Sequence, residues 1–461
     1  MISHQLNTQR PITNKVRLAS LRILWPSCLG MLAVGANSTA IMAALPDMRN
    51  ELSLSSDGVQ WAVNAYLVVS AAFIVLGGST ADRIGALMAS MSGLALFGVA
   101  SCIIATADGQ GSLLLGRALQ GLAAAFAVPS TLAAVHSSAT SERKAAAGAL
   151  WSGFLMLGFS IGPLFGGAMT HFAGWRAIFW LNVPLMLVAI VGLAFANAGA
   201  GRSRHKPKVH TDWIGFVLLA TSMVSLVFGL HAVPHARAAP LAVVAPFLLA
   251  IGALFLLLRV ELRAEAPLVN LTFFARPSFV MGVAIGSLSM FSIMSLLLYF
   301  NLYAQSQAGL GLTALQAGLT LLPLSAALLA CALSAPALAR RLGLRKAVTG
   351  GMVAIALAST IITSSIAGGG MALLLIGLFL IGGGLAVPYA LAPRLALSGL
   401  SPEQAGQGSG IVNACTFLAG SAGVAGGAIA VELGGTVGVL IMIALAGLIG
   451  TILSRGISDA V

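Results

Sequence analysis

The sequence has very little charge and few cysteines. Charged residues make up 8% of its 461 residues, whereas hydrophobic residues make up 58%. A soluble domain does not keep its surface wet on so few charges. The four cysteines all lie within apolar runs and show no metal-binding or disulfide spacing. The composition therefore excludes an ordinary soluble protein, and it favours neither a metal site nor a disulfide framework.

Clusters of catalytic side chains are also missing. The twelve acidic residues lie in loops or near the ends of apolar runs, and none of the seven histidines lies in the middle of a run. A membrane-embedded enzyme needs His, Asp, Cys or Ser gathered near one membrane face. No such cluster, and no phosphate-binding loop, is found. We therefore expect no enzyme, no cofactor and no metal; a sensor that does not transport stays open.

Long apolar runs are what the sequence does contain. Runs of about 18 or more residues follow one another between Ile23 and Leu453, and each is long enough to cross ~30 Å of hydrocarbon as a helix. Barrel strands would instead show short runs of alternating polarity. The pattern predicts an all-α integral membrane protein with fourteen transmembrane helices.

The basic residues indicate the orientation. With the N-terminus in the cytoplasm, 20 of the 24 Lys and Arg residues fall in cytoplasmic segments. This bias predicts a multi-pass protein of the inner (cytoplasmic) membrane with both termini cytoplasmic. The net charge of +12 is concentrated partly in residues 202–208. We interpret this run as a loop that fixes topology and touches anionic lipid, and we expect no nucleic-acid partner.

The chain repeats itself at a spacing of about 259 residues. Ala127-Val128-Pro129 recurs as Ala386-Val387-Pro388, and Arg83-Ile84-Gly85 lines up with Arg341-Leu342-Gly343. In a hydrophobic chain, two copies of one helical bundle indicate a transporter that rocks one bundle against the other. The predicted segments are a cytoplasmic N-terminal segment (1–22), an N-terminal six-helix bundle (23–198), a basic cytoplasmic loop (199–211), an inserted helix pair (212–260), a cytoplasmic loop (261–278), a C-terminal six-helix bundle (279–454) and a cytoplasmic tail (455–461).

Five stretches carry a family resemblance. They are residues 59–67, 78–85, 115–121, 158–167 and 174–184. In these stretches the chain resembles the major facilitator superfamily, and specifically its fourteen-helix drug:proton antiporter branch. The resemblance covers nearly the whole length after residue 22. It implies a monomer that exports drug-like or amphipathic small molecules through the lipid bilayer by alternating access, in exchange for protons.

The stretch at 78–85 resembles the family's loop between the second and third helices. Its candidate cytoplasmic-gate residues are Gly78, Asp82, Arg83 and Gly85. A carboxylate in this turn could meet the positive end of a helix from the other bundle, or an Arg, and latch one conformation. The alternative is an ordinary charged turn. The chain departs from the family at residues 86–88, which are apolar where basic residues are usual.

The stretch at 158–167 resembles the fifth-helix antiporter motif. Its candidate residues are Gly158, Gly162, Pro163, Gly166 and Gly167. Small residues spaced by four let helices approach closely, and a proline bends its helix. The resemblance places the motif at the interface between bundles and associates it with export. The alternative is a closely packed helix without directional meaning.

Arg117 is the only basic residue well inside an apolar run. On membrane-insertion scales, which give the lowest values, placing an Arg at the centre of a spanning helix costs about 2.5–3.5 kcal/mol. We therefore expect Arg117 to face a cavity and to have a partner. Snorkelling to the interface is the alternative. Asn37 stands where the family usually carries a first-helix Asp; it could hydrogen-bond Arg117 but cannot carry a proton. The position one repeat away is the apolar Ile376.

The candidate substrate-cavity residues are polar or aromatic side chains within the predicted helices. They are Asn37, Asn64, Tyr66, Arg117, Gln120, Tyr299, Gln305, Tyr389 and Asn413. Helix–helix hydrogen bonding is the alternative role for the amide and tyrosine residues. Glu432 is the possible proton carrier, with a helix-end charge as its alternative. Two functions remain open: a proton-coupled exporter, and an uncoupled or anion-selective carrier, because Asn37 replaces the usual carboxylate.

Overall fold

A computed structural model describes residues 14–140, 143–198, 212–264 and 267–457. The helices are α1 (Asn14–Glu51), α2 (Ser56–Ile84), α3 (Ala86–Ala105), α4 (Gln110–Ser138), α5 (Lys144–Ala173), α6 (Arg176–Ala198), α7 (Trp213–Ala232), α8 (Pro240–Glu261), α9 (Pro277–Gln305), α10 (Ala314–Thr320), α11 (Leu322–Leu342), α12 (Leu344–Ser364), α13 (Gly370–Leu397) and α14 (Pro402–Ser454). Short helical turns occupy Val233–His235, Leu271–Ala275 and Ser365–Gly369. These ranges contain no strand, and the expected all-α class is confirmed.

Twelve stretches of the described chain are long and apolar enough to cross a membrane. The predicted count of fourteen is therefore not confirmed. Ten of the stretches have 20 to 31 residues, whereas Leu344–Leu397 has 54 and Gln404–Ser454 has 51. At about 1.5 Å per residue, an unbroken helix of that length would measure roughly 75–80 Å, more than twice the ~30 Å of the hydrocarbon layer.

Both long stretches are interrupted by glycines outside helical geometry. Gly368 and Gly370 have φ of 116° and 82°, and Gly435 has φ of 60° after a non-helical Gly434. Positive φ is readily accessible only to glycine. The helices on either side of the first break, α12 and α13, pack against each other. Each long stretch therefore consists of two helical segments.

The helices pack in two sets that share one pattern. In the first set α1 packs on α5 and α6, α2 packs on α4, and α3 packs on α4 and α6. In the second set α9 packs on α13 and α14, α11 packs on α13, and α12 packs on α13 and α14. Helices α7 and α8 pack mainly on each other, and α7 also contacts α2 and α14. Helix α7 therefore touches both sets.

The repeat is visible in backbone conformation. Gly85 ends α2 with φ 91° and ψ 140°, and Gly343 ends α11 with φ 86° and ψ 150°. Both follow the Arg-x-Gly pattern that the sequence repeats, and both turns need the freedom of glycine. The correspondence does not extend to Arg117 on α4 and Ile376 on α13, which occupy equivalent positions of the repeat. Arg117 is 0% exposed, whereas Ile376 is 53% exposed.

Candidate substrate cavity and the buried polar network

A small pocket, which we call the cavity, lies where helices of the two sets meet. Its ten lining residues come from α1, α5, α9, α11 and α13, and they are Thr39, Met156, Phe159, Met290, Ile293, Leu297, Leu324, Leu328, Ala386 and Tyr389. None of them is charged. The Thr39 hydroxyl already donates to the Phe159 carbonyl oxygen at 3.0 Å. The wall is therefore apolar, with the phenol of Tyr389 as its main polar group, and it suits a small apolar or amphipathic molecule.

Tyr389 is the one predicted cavity residue that lines this space. It lies on α13, one residue after Pro388 in the second copy of the repeated Ala-Val-Pro motif. The apolar side chains that form the rest of the wall were not predicted. They come from α5, α9, α11 and α13, and a sequence offers no signal for which apolar face of each helix turns toward a shared cavity.

Gln120 is the centre of a buried hydrogen-bond network inside the first helix set. Its Oε1 accepts from Arg117 Nη1 at 2.8 Å and from Asn37 Nδ2 at 3.2 Å. Its Nε2 donates to Ser101 Oγ at 2.9 Å. All four residues are buried. The network joins α1, α3 and α4, because buried polar groups need partners when water is excluded.

Arg117 is held by groups that carry no formal charge. Its Nε donates to the Ala62 carbonyl oxygen at 2.7 Å, and its guanidinium carbon lies 4.7 Å from the centre of the Tyr66 ring. The Tyr66 hydroxyl accepts from Ser38 Oγ at 3.0 Å. Among the described residues, no carboxylate forms an ion pair with Arg117. Its charge is therefore stabilised by dipoles and an aromatic face.

The structure places Arg117 and Asn37 differently from the expectation. Arg117 does have partners, but it is not among the residues that line the cavity. Asn37 does not bond Arg117 directly: both donate to the same oxygen of Gln120. Sequence reasoning also missed Asn182, whose Nδ2 donates to Asn37 Oδ1 at 2.9 Å. An amide inside an apolar run was the signal that could have found it.

Asn64 lies at a junction of three helices instead of in the cavity wall. Its Nδ2 is 3.4 Å from His231 Nδ1 on α7, and its Oδ1 accepts from Ser421 Oγ on α14 at 3.0 Å. His231 also stacks on Trp61 with ring centres 4.7 Å apart. Asn64 therefore connects α2 with α7 and with the second helix set.

Three predicted residues make hydrogen bonds to backbone carbonyl oxygens. Tyr299 Oη donates to Val424 at 2.7 Å within the second set, and Asn413 Nδ2 donates to Ser409 at 3.0 Å within α14. Gln305 Nε2 donates to Ala43 at 2.9 Å and so ties α9 to α1. These contacts correspond to the hydrogen-bonding role that the sequence left open as an alternative.

The glycines of the 158–167 stretch bring α5 against two different helices. A Cβ at Gly158 would lie 2.4 Å from the Leu32 carbonyl oxygen, and one at Gly166 would lie 2.2 Å from that of Ala40, so both face α1. Gly162 faces α1 as well. A Cβ at Gly167 would lie 2.3 Å from the Ala314 carbonyl oxygen on α10. Pro163 approaches α10 too, since its carbonyl oxygen would lie 2.8 Å from a Cβ at Gly318. The motif therefore contacts α1 of the first set and α10, the short helix that precedes α11 of the second set.

The candidate gate residues are only partly described. Gly85 forms the positive-φ turn between α2 and α3, and a Cβ at Gly78 would meet nothing closer than Pro129 at 4.0 Å. The side chain of Asp82 lies outside the described part, as do residues 199–211 and 1–13. The latch formed by Asp82 and Arg83 stays a prediction.

The carboxyl groups are distributed differently from the expectation. Glu432 is exposed and lies two residues before the break at Gly434. Glu261, at the end of α8, is only 4% exposed. Glu432 thus lies as its alternative, a helix-end charge, would have it, and its role as a proton carrier stays a prediction. Among the described acidic residues, Glu261 is the buried one.

An all-helical chain with many apolar stretches, and with two helix sets around a shared cavity, is a multi-pass membrane protein. A model of the Major Facilitator Superfamily matches residues 27–424. The chain belongs to the Major Facilitator Superfamily.

Several curated relatives share part of the chain. It is 29% identical over 290 residues to the methylenomycin A resistance protein of Bacillus subtilis, covering 63% of this chain and 61% of that protein. It is 31% identical over 291 residues to the tetracenomycin C resistance and export protein of Streptomyces glaucescens, covering 62% and 54%. It is 27% identical over 399 residues to the multidrug resistance protein Stp of Mycobacterium tuberculosis, covering 86% and 73%. The match thus spans less than two thirds of the first two relatives.

Proposed function

We propose that this chain is a secondary transporter that exports small apolar or amphipathic molecules across the cytoplasmic membrane. The observation that carries the proposal is the cavity between the two helix sets, whose wall contains no charged side chain. Such a wall binds its ligand by apolar contact, with the phenol of Tyr389 available for one hydrogen bond. The names of the relatives, which refer to drug resistance and export, support the same substrate class.

We further propose that transport proceeds by alternating access, with the two helix sets rocking about the cavity. The contacts of Gly167 with α10 and of Gln305 with α1 would form the closure on one side of the cavity. The turn around Asp82 and Arg83 would latch the other side. A small-residue contact between backbones suits such a gate, because it closes tightly without burying polar side chains.

Fourteen membrane crossings are proposed for the topology. Each of the two long stretches would cross twice and reverse at its glycines, at Gly368–Gly370 and at Gly434–Gly435. With the N-terminus in the cytoplasm, this count returns the C-terminus to the cytoplasm, as the distribution of basic residues favours. The proposed transporter acts as a monomer, since the cavity is built from one chain.

Proton exchange is the proposed source of energy, on the strength of the resemblance to drug:proton antiporters. A second candidate, an uncoupled carrier, is favoured by one specific observation. The network around Arg117 contains amides, hydroxyls and a carbonyl but no carboxylate, because Asn37 stands at the usual acidic position. The anion-selective version has less support, since Arg117 does not line the cavity.

Efflux from cells that lack their own pumps tests the proposal. Cells that express the chain should extrude lipophilic dyes, and the extrusion should stop when an uncoupler collapses the proton gradient. Efflux that continues down a substrate gradient after collapse would support the uncoupled carrier. Absence of efflux for every apolar and amphipathic probe, from cells with the protein in their membranes, would contradict the proposed substrate class.

A further inference from the structure

The inserted pair α7 and α8 carries two carboxyl groups at one end. Asp212 caps α7, and its Oδ1 accepts from the backbone N–H of Gly215 at 2.7 Å. Glu261 is the last residue of α8, and its Oε1 accepts from the backbone N–H of Val269 at 3.1 Å. In each carboxyl group, one oxygen thus accepts a hydrogen bond from a backbone N–H.

The other oxygen of each group is buried without a partner. Asp212 Oδ2 and Glu261 Oε2 have no hydrogen-bond partner among the described residues, and Glu261 is 4% exposed. A Cβ on Gly215 would lie 2.5 Å from Asp212 Oδ2 and 2.9 Å from Glu261 Oε1. Since both oxygens surround this one point, the carboxyl groups approach within about 6 Å and interact electrostatically. Only a glycine at 215 leaves room for this approach.

In the described part of the chain, the ion pairs do not include Asp212 or Glu261. The Arg259 guanidinium lies over the Phe255 ring at 4.9 Å, and Arg263 is exposed.

Two ionised carboxylates in this position would repel each other, and the charge on Glu261 would be buried. A proton on Glu261 removes both problems, because it neutralises that group. We propose that Glu261 binds a proton beside Asp212, at a proton-binding site on the inserted helix pair, outside the substrate cavity. This inference does not depend on what the cavity transports.

The site also holds the segment that leads to the second helix set. Residues 262–276 run from α8 to α9, and Glu261 binds this segment at Val269. Gln407 on α14 binds it from the other side, since its Nε2 donates to the carbonyl oxygens of Pro267 at 2.7 Å and Leu268 at 2.9 Å. Loss of the proton from Glu261 would add repulsion from Asp212 beside this segment. The proton therefore stabilises the attachment of the inserted pair to α14.

Chemical labelling tests for the proton directly. Dicyclohexylcarbodiimide reacts with protonated carboxyl groups in apolar surroundings, and an ordinary exposed carboxyl is protonated in only about one molecule in 500 near pH 7. The full-length protein in detergent is treated between about pH 6 and pH 9, digested and analysed by mass spectrometry. Glu261 should be labelled at least about tenfold more than the exposed Glu432 near pH 7, and less as the pH rises. Equal labelling, or protection by added Na⁺ or Mg²⁺, would overturn the assignment.

Neutral variants provide the second measurement. A group that binds a proton in the folded but not in the unfolded state makes stability fall as the pH rises. The melting temperature of the wild-type protein should therefore fall with pH more steeply than that of Glu261→Gln, and Glu432→Gln should follow the wild type. Asp212→Asn retains the helix cap and should also flatten the profile. An unchanged profile in both Glu261→Gln and Asp212→Asn would overturn the proposal.

Discussion

Gln120→Leu is the most informative single substitution in the buried network. It replaces an amide by an apolar side chain of similar size. Gln120 accepts hydrogen bonds from Arg117 at 2.8 Å and Asn37 at 3.2 Å and donates to Ser101 at 2.9 Å. After the substitution the Arg117 guanidinium keeps the Ala62 carbonyl oxygen and the Tyr66 ring but loses its only side-chain acceptor.

The expected cost follows from the groups left unpaired. A buried neutral group without a partner costs about 1–3 kcal/mol, and removing the partner of a buried charge costs about 3–5 kcal/mol. These terms overlap in one network, so we expect Gln120→Leu to lower the free energy of unfolding by roughly 3–5 kcal/mol. The double variant Arg117→Met/Gln120→Leu removes the charge together with its acceptor. It should cost about 1–2 kcal/mol, because replacing both partners by apolar groups is nearly neutral.

The measurement is reversible unfolding of the purified protein in mixed micelles, followed by circular dichroism or tryptophan fluorescence. The ordering matters more than the absolute values: the double variant should be more stable than the Gln120→Leu single variant. The reasoning is refuted if Gln120→Leu lies within about 0.5 kcal/mol of the wild type, or if the double variant is the less stable of the two.

Three further predictions concern coupling, the gate and topology. Asn37→Asp adds a carboxyl to a network that has none and should create or strengthen the pH dependence of transport; an unchanged pH profile would contradict this role. Gly167→Ala places a Cβ 2.3 Å from the Ala314 carbonyl oxygen. This contact should destabilise the closed state by about 1–3 kcal/mol and so shift the closed–open equilibrium about 5–150-fold. Gly153→Ala, with room for its Cβ at 3.6 Å, is the matched control, and equal transport rates would remove Gly167 from the gate. Single cysteines at Gly369 and Gly434, in a variant without the native cysteines, should react with an impermeant maleimide from outside, whereas protection of both would contradict fourteen crossings.

The sequence was sufficient for the class, the family and the repeated turns. Apolar runs of spanning length predict helices wherever they occur. The Arg-x-Gly repeats at Gly85 and Gly343 predict equivalent turns, because only glycine adopts their positive φ without strain. These features depend on local properties of the chain, and local properties are what a sequence displays directly.

The arrangement of polar groups was harder to predict, because it depends on how each helix is rotated and how deep each residue lies. The Arg117–Gln120 contact could be predicted from sequence, since residues three apart share a helix face. The link from Gln120 to Asn37 and then to Asn182 requires three helices to meet at one depth, and no spacing in the sequence encodes that. The cavity wall was missed for the same reason.

Glu261 shows a second reason why the surroundings of a side chain are hard to predict from sequence. It stands at the end of an apolar run, where a charged residue ordinarily marks the membrane interface. Glu261 is covered because Val269, eight residues further on, lies against it, and because Gly215 lets Asp212 approach. Both causes are contacts between segments that are distant or separated by a turn. A pattern of hydropathy therefore reports the end of the helix but not what covers it.

The central claim is that the apolar cavity between the helix sets is the path of the substrate. Leu328 on α11 lines the cavity and is 6% exposed, whereas Leu357 on α12 is 58% exposed and is not among the lining residues. The most direct test measures transport of an uncharged lipophilic dye by proteoliposomes that contain wild-type, Leu328→Trp or Leu357→Trp protein. Leu357→Trp should transport like the wild type, and Leu328→Trp should lose transport while still folding and inserting. Transport at the wild-type rate by Leu328→Trp would contradict the account.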